Sequence, residues 1–227
     1  MFASTPFDLG GKSALVIGAG KIAGAIAALF GVAGASVAQV AEPDLSEAGV
    51  EALFQGRAET DILVNGATRT GAWTLDTLSM AEWDRVQEVN LRGAYLMMRA
   101  AVRAMREHGR GGRIINLSTI GSVHPVLHGN FAYGASRAGL NALTRQFALD
   151  FASDNILTNA ILVGTIPSDP FPPDMPPPSG PGVVRGRLPG GLGTPDDIAP
   201  LALLLASVGG RYINGQAITV DGGFSVS

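Results

Sequence analysis

The chain has 227 residues, 46% of them hydrophobic, a formal net charge of −3 and no cysteine. That charge leaves no basic footprint for nucleic acid, and the missing thiols exclude disulfides and thiolate-held metal. The length suits one domain over residues 1–227; no run is apolar for long enough to span a bilayer, and Met1 to Gly11 lacks a signal-peptide pattern, so a cytoplasmic protein without a membrane partner is expected.

Ser13 to Ile17 is a short apolar run that predicts a buried parallel strand. Gly18-Ala-Gly20-Lys21-Ile22-Ala23-Gly24 follows, then an alanine-rich helix to Ala33. A strand, a glycine turn and a helix start together form an anion site, because backbone N–H groups and the helix dipole point at the ligand. Gly18-x-Gly20-x-x-Ala23 fits the dinucleotide fingerprint, with alanine in third place; the bland alternative is a tight turn that binds nothing. Ser36 to Val40 reads as the second strand. In dinucleotide folds an acidic residue about 20 positions past the glycines holds the adenosine ribose, which makes Glu42 and Asp44 candidates. Lys21, a cation in the turn itself, favours a phosphorylated ribose instead, so NAD and NADP both stay open. Asp44-Leu-Ser-Glu47 also reads as a helix cap, opening a short helix over Leu45 to Phe54.

Asp61 to Asn65 predicts the third strand. Ser79-Met-Ala-Glu82 is a capping box that opens one long helix from Met80 to about Arg106, with Asn90 in its middle. Asparagine is a poor helix-interior residue, so Asn90 needs a reason to be there. Arg113 to Leu117 predicts the fourth strand, leading into Ser118, Thr119 and Ser122. A helix over Ala132 to Phe151 follows, and Tyr133 and Arg137 stand four apart on one face of it. A cation near a phenol favours its ionised form, which makes the pair a candidate proton donor. Ile156 to Val163 is the fifth strand. Gly164 to Gly193 is a Pro- and Gly-rich connection too long for a plain loop; its part from Ile166 to Arg187, with Phe171 and Met175, is expected to cover a small-molecule substrate. Thr194-Pro195 starts another helix, and Gln216 to Val220 is the last strand. His108, His124 and His128 show no metal-ligand spacing, so no metal site is expected. Strands alternating with helices predict an α/β, Rossmann-like, doubly wound domain: a mostly parallel sheet of about six strands flanked by helices.

These segments, taken in order, resemble the short-chain dehydrogenase/reductase family over nearly the whole chain. The carriers are the glycine turn, Asp61-Ile-Leu-Val-Asn65, Val89-Asn90-Leu91, Ile114-Ile-Asn-Leu-Ser118, Tyr133-Gly-Ala-Ser-Arg137, Asn159-Ala-Ile-Leu-Val-Gly164 and Ile213 to Gly223. The resemblance implies hydride transfer between a nicotinamide cofactor, NAD or NADP, and an alcohol or carbonyl. Tyr133 would give or take the hydroxyl proton, Thr119 would orient the substrate oxygen (with Ser118 and Ser122 as substitutes), and Asn90 would hold the water of a proton relay. Arg137 stands at the place of the family's lysine; it supplies charge but cannot pass a proton. The implied cofactor contacts are Gly18, Gly20, Lys21, Ile22, Gly24, Asn65, Gly66, Ala67, Gly164 and Thr165. Ile22 replaces a glycine of the family pattern, and the chain between the second strand and Asp61 lacks a helix and a strand that help to build the adenosine pocket. These departures carry a second reading, a protein of the same fold without hydride transfer: an isomerase, dehydratase or cyclase, or a non-catalytic subunit. The resemblance further implies a homo-oligomer, a tetramer or dimer, paired through the long helix and the Tyr133 helix.

Overall fold

The computed structural model describes residues 5–71, 73–125, 128–167 and 192–226. Most of the expected substrate cover, residues 168–187 with Phe171 and Met175, lies outside them. Strands β1 (Ser13–Ile17), β2 (Ser36–Val40), β3 (Ile62–Asn65), β4 (Gly112–Thr119), β5 (Ile156–Val163) and β6 (Ala217–Val220) form one sheet in the order β2-β1-β3-β4-β5-β6. Every pairing is parallel. Helices α1 (Lys21–Val32) and α6 (Pro195–Ala206) cover one face; α2 (Glu47–Phe54), α4 (Ala94–His108) and α5 (Phe131–Asp150) cover the other. The alternation of the strands assigns side chains to these two layers. Ala14, Val16, Ile62, Val64, Ile115 and Leu117 pack against α1 and α6, whereas Leu15, Ile17, Leu63 and Ile114 pack on the other side. Burial on both faces explains why the central strands are continuous apolar runs. The sheet order reverses at β1, and in open α/β sheets ligands bind beyond the carboxyl ends of the strands at such a point.

β2 is an edge strand, and Ser36, Ala38 and Gln39 on it are exposed. The usual strand order of dinucleotide folds places a further strand outside this position, consistent with the short connection between β2 and β3. No helix among the described residues is long and apolar enough to cross a membrane.

Three local expectations are corrected. The second helix begins at Glu47, not Leu45, and its cap is Ser46, whose Oγ accepts from the Gly49 amide at 3.1 Å. Asp44 instead accepts from the Ser46 amide at 2.8 Å, closing a turn just before the helix. Ser79 does cap its helix, accepting from the Glu82 amide at 3.2 Å, but the Glu82 carboxylate pairs with Arg69 and Arg85. The long helix is not uniform: α3 (Met80–Gln87) passes into a π-helical turn, Glu88–Gly93, before α4 begins. Such turns concentrate at functional sites, and this one contains Asn90.

Candidate active site

Glycine fixes the geometry where the first turn meets the β3 loop. Gly18 has φ +127°, and a Cβ there would stand 2.7 Å from the Gly66 carbonyl oxygen. A Cβ on Gly66 would meet the Ile17 oxygen at 2.6 Å. The two backbones therefore touch, and neither position accepts a side chain. Gly20 differs: it caps α1 with ordinary φ −68°, and an added Cβ would meet nothing within 4 Å. No side chain caps this helix start and no acid sits in its first turn, and a helix N-terminus favours an anion.

A cleft of about 310 Å³ opens beside Gly20, at the carboxyl ends of β1, β3, β4 and β5. Gly20, Lys21, Ile22, Gly66, Thr119, Tyr133, Arg137 and Gly164 line it, as do Thr68, Thr70 and Ser118. Of the residues assigned from the sequence, Gly18, Gly24, Asn65, Ala67, Asn90 and Thr165 do not. Asn65 is buried and donates to Asn116 Oδ1 at 2.8 Å. The Ala67 carbonyl accepts from Arg137 Nη2 at 3.1 Å.

Tyr133 stands on the first turn of α5, with Arg137 one turn on; the guanidinium carbon lies 5.4 Å from the phenol ring centroid. Arg137 is only 2% exposed, and its Nε is buried without a hydrogen-bond partner. Among the described residues, the lining includes the cations Lys21 and Arg137 and no carboxylate. The hydroxyls sort themselves by their partners. Ser122 Oγ donates to the Thr119 carbonyl and accepts from Asn141 Nδ2 at 2.8 Å, so it is committed to the frame. Thr119 Oγ1 accepts from the Gly121 amide at 3.2 Å and keeps its own hydrogen to donate. Ser118 Oγ is buried, has no partner and borders the cleft.

Asn90 lies behind this wall, fully buried. Its Oδ1 accepts from the Arg69 amide at 2.7 Å, and its Nδ2 donates to the Arg69 carbonyl at 2.9 Å and to Ser136 Oγ at 3.0 Å. Ser136 Oγ donates in turn to the Tyr133 carbonyl at 2.7 Å. The π turn thus carries a side chain that clamps the loop after β3 to the start of α5. Sequence reading missed Ser136, although it stands three residues after Tyr133. It also missed Gln39, whose Nε2 donates to the Gly18 carbonyl at 3.0 Å; no local pattern points to that contact. Below Gly164, burial of Asp221 opposes its ionisation, but bonds from Ser225 and Gly223 outweigh it and hold the carboxyl below the usual carboxylate range. A Cβ on Gly164 would lie 2.6 Å from the Asp221 Cα, so this end of the cleft also needs glycine.

The uncapped helix start, the open space at Gly20 and the unbonded Ser118 hydroxyl fit a phosphate-bearing ligand that reaches towards Tyr133.

Comparison with known proteins bears on the family and the fold. The family model described as enoyl-(acyl carrier protein) reductase matches residues 17–225. L-rhamnose 1-dehydrogenase (NAD(P)+) of Azotobacter vinelandii is 35% identical over 212 residues, covering 92% of this chain and 82% of that protein. A short-chain type dehydrogenase/reductase from Mycobacterium marinum superimposes with a TM-score of 0.83 at 26% identity, covering 98% of both chains. A Beutenbergia cavernae protein assigned as an NAD(P)-dependent gluconate 5-dehydrogenase, solved with NADP at low occupancy, gives a TM-score of 0.83 at 28% identity, covering 98% of this chain and 100% of that one. With its matched family model, its relatives and its six-stranded parallel sheet, the chain belongs to the short-chain dehydrogenase/reductase family.

Proposed function

We propose that this chain is an oxidoreductase that interconverts an alcohol and a carbonyl with NAD or NADP. The observation that carries the reading is the single cleft in which Tyr133, Thr119 and Ser118 stand across from an uncapped helix start at Gly20. The nicotinamide supplies or takes the hydride when bound. In the reducing direction Tyr133 gives its phenolic proton to the substrate oxygen, which Thr119 holds by donating its free hydroxyl hydrogen. Arg137, beside the ring, balances the phenolate left behind; being a permanent cation, it does so without passing a proton. Gly20, Lys21, Ile22, Gly66 and Gly164 would form the cofactor's side of the cleft. Proteins similar to this chain are named as dehydrogenases or reductases, and one was solved with NADP; these names favour redox chemistry over the isomerase, dehydratase, cyclase or non-catalytic reading. Asn90 acts as a positioning residue on this proposal, because its hydrogen bonds are taken by Arg69 and Ser136.

The protein pairs with a second copy of itself through the face made by the π turn, α4 and α5. That face holds an apolar groove of about 760 Å³ lined by Leu91, Tyr95 and Leu143, with Glu88 and Arg92 at its rim.

The test is oxidation of NADH and NADPH with a panel of ketones and keto sugar acids, comparing the parent protein with Tyr133→Phe. That change removes only the phenolic oxygen, so the fold is kept. Turnover is expected to fall by about 10²–10⁴-fold, the usual worth of a general acid. Equal turnover by the two proteins would make Tyr133 a packing residue and remove the proposal.

A further inference from the structure

The cleft has polar features at one end and little beyond the glycine turn. Its volume of about 310 Å³ lies at the small end of ligand pockets. The described residues that line it come from the start of α1, the loop after β3, the ends of β4 and β5, and α5. None comes from β2, α2 or the connection between them. The acids that could hold a second ribose do not line it: neither Asp44 nor Glu42 borders the cleft, and Asp44 accepts from the Ser46 amide. Gln39, at the end of β2, is tied back to the Gly18 carbonyl. β2 is the sheet edge, with no strand among the described residues beyond it to wall an adenine site. By contrast, the stretch from Gly20 to Tyr133 carries the uncapped helix start and two buried polar atoms without partners, Ser118 Oγ and Arg137 Nε, on residues 4% and 2% exposed. The polar groups that could meet a ligand therefore lie on that stretch and not towards β2.

We propose that this protein recognises the nicotinamide mononucleotide half of its cofactor, and that the adenosine half adds little to binding. The inference rests on reading the cleft as a nicotinamide site. Loss of the adenosine pocket makes reduced nicotinamide mononucleotide as good a ligand as NADH or NADPH. Among the described residues that line the cleft there is no acid to select NADH, and Lys21 lies at the helix start, where it meets the phosphate shared by all three ligands, so the two dinucleotides are not distinguished.

Calorimetric titration of the full chain with reduced nicotinamide mononucleotide, NADH and NADPH tests this. The three dissociation constants are expected to agree within about threefold, a difference of under about 0.7 kcal/mol. Gly20→Val, which adds a side chain in open space at an ordinary φ, should weaken all three alike by about tenfold or more. Glu42→Ala should leave all three within about twofold. A dinucleotide that binds more than about thirtyfold tighter than the mononucleotide overturns the inference while leaving the nicotinamide reading intact. So does a Glu42→Ala protein that loses NADH affinity about tenfold and keeps the mononucleotide. If none of the three ligands binds, the nicotinamide reading itself falls, and the inference falls with it.

Discussion

Replacing Asn90 with alanine separates two roles that the family resemblance and the structure give this residue. As part of a proton relay it would matter to turnover and little to stability. As the clamp seen in the fold it must matter to both. The alanine variant removes three hydrogen bonds: from the Arg69 amide, to the Arg69 carbonyl and to Ser136 Oγ. Each intramolecular bond is worth about 0.5–1.5 kcal/mol net, and a buried partner left unsatisfied costs about 1–3 kcal/mol. Asn90 is wholly buried, while Arg69 is exposed to solvent and Ser136 keeps its bond to the Tyr133 carbonyl, so a total of about 3 kcal/mol is expected. Against a native stability of about 5–15 kcal/mol, that is a large loss, and it corresponds to a fall in Tm of about 6–12 °C for a chain of this size. Asn90→Asp keeps an acceptor for the Arg69 amide but no donor for the carbonyl and hydroxyl, so it should rescue at most a third of the loss. Urea unfolding followed by circular dichroism measures both variants. A loss below about 1 kcal/mol with normal cooperativity would show that the clamp is incidental and that the π turn is held by packing alone.

Three further outcomes follow from the same geometry. Arg137→Lys should raise turnover of reduced nicotinamide on a model ketone across pH 6 to 10, taken as about the working range, because lysine can approach both a phenol and a ribose hydroxyl and can pass a proton; an equal or lower rate at every pH would count against the redox proposal. Gly18→Ala should unfold the turn or fail to fold, since its Cβ would lie 2.7 Å from the Gly66 oxygen at φ +127°; limited proteolysis that shows no change would refute the contact. Asp61 is opposed by burial, yet the Ser13 amide, Lys12 and Arg110 outweigh that and hold its carboxyl below the usual carboxylate range. A depressed folded value adds stability above the unfolded pKa of about 3.9 and loses it as pH falls through the folded value. Asp61→Asn should therefore lower the urea midpoint at neutral pH and flatten its decline in acid; parallel curves for the two proteins would refute the linkage.

Most of the fold is legible in the sequence because its signals are local. The apolar runs at Ser13–Ile17 and Ile156–Val163 are strands wherever they pack, and Pro195 after Thr194 starts a helix by fixing φ and removing an amide that has no use there. Gly20, Lys21 and Ile22 of the glycine turn, Tyr133 and Arg137 could likewise be placed by spacing, and these five line one cleft. The assignment of polar side chains could not, since each depends on a partner far along the chain. Ser122 leaves the site because Asn141, 19 residues on, takes its oxygen. Asn65 turns to Asn116, 51 residues away, and Asn90 is captured by the Arg69 backbone and Ser136. The π turn is invisible to a helical pattern because it inserts one residue into an otherwise regular helix, and only the loop it clamps rewards that insertion. Backbone preference and hydrophobic period act over a few residues and are written in the sequence. The pairing of buried donors with acceptors is a condition on the whole packed chain, and only the tertiary structure decides which hydroxyl is left free to meet a substrate.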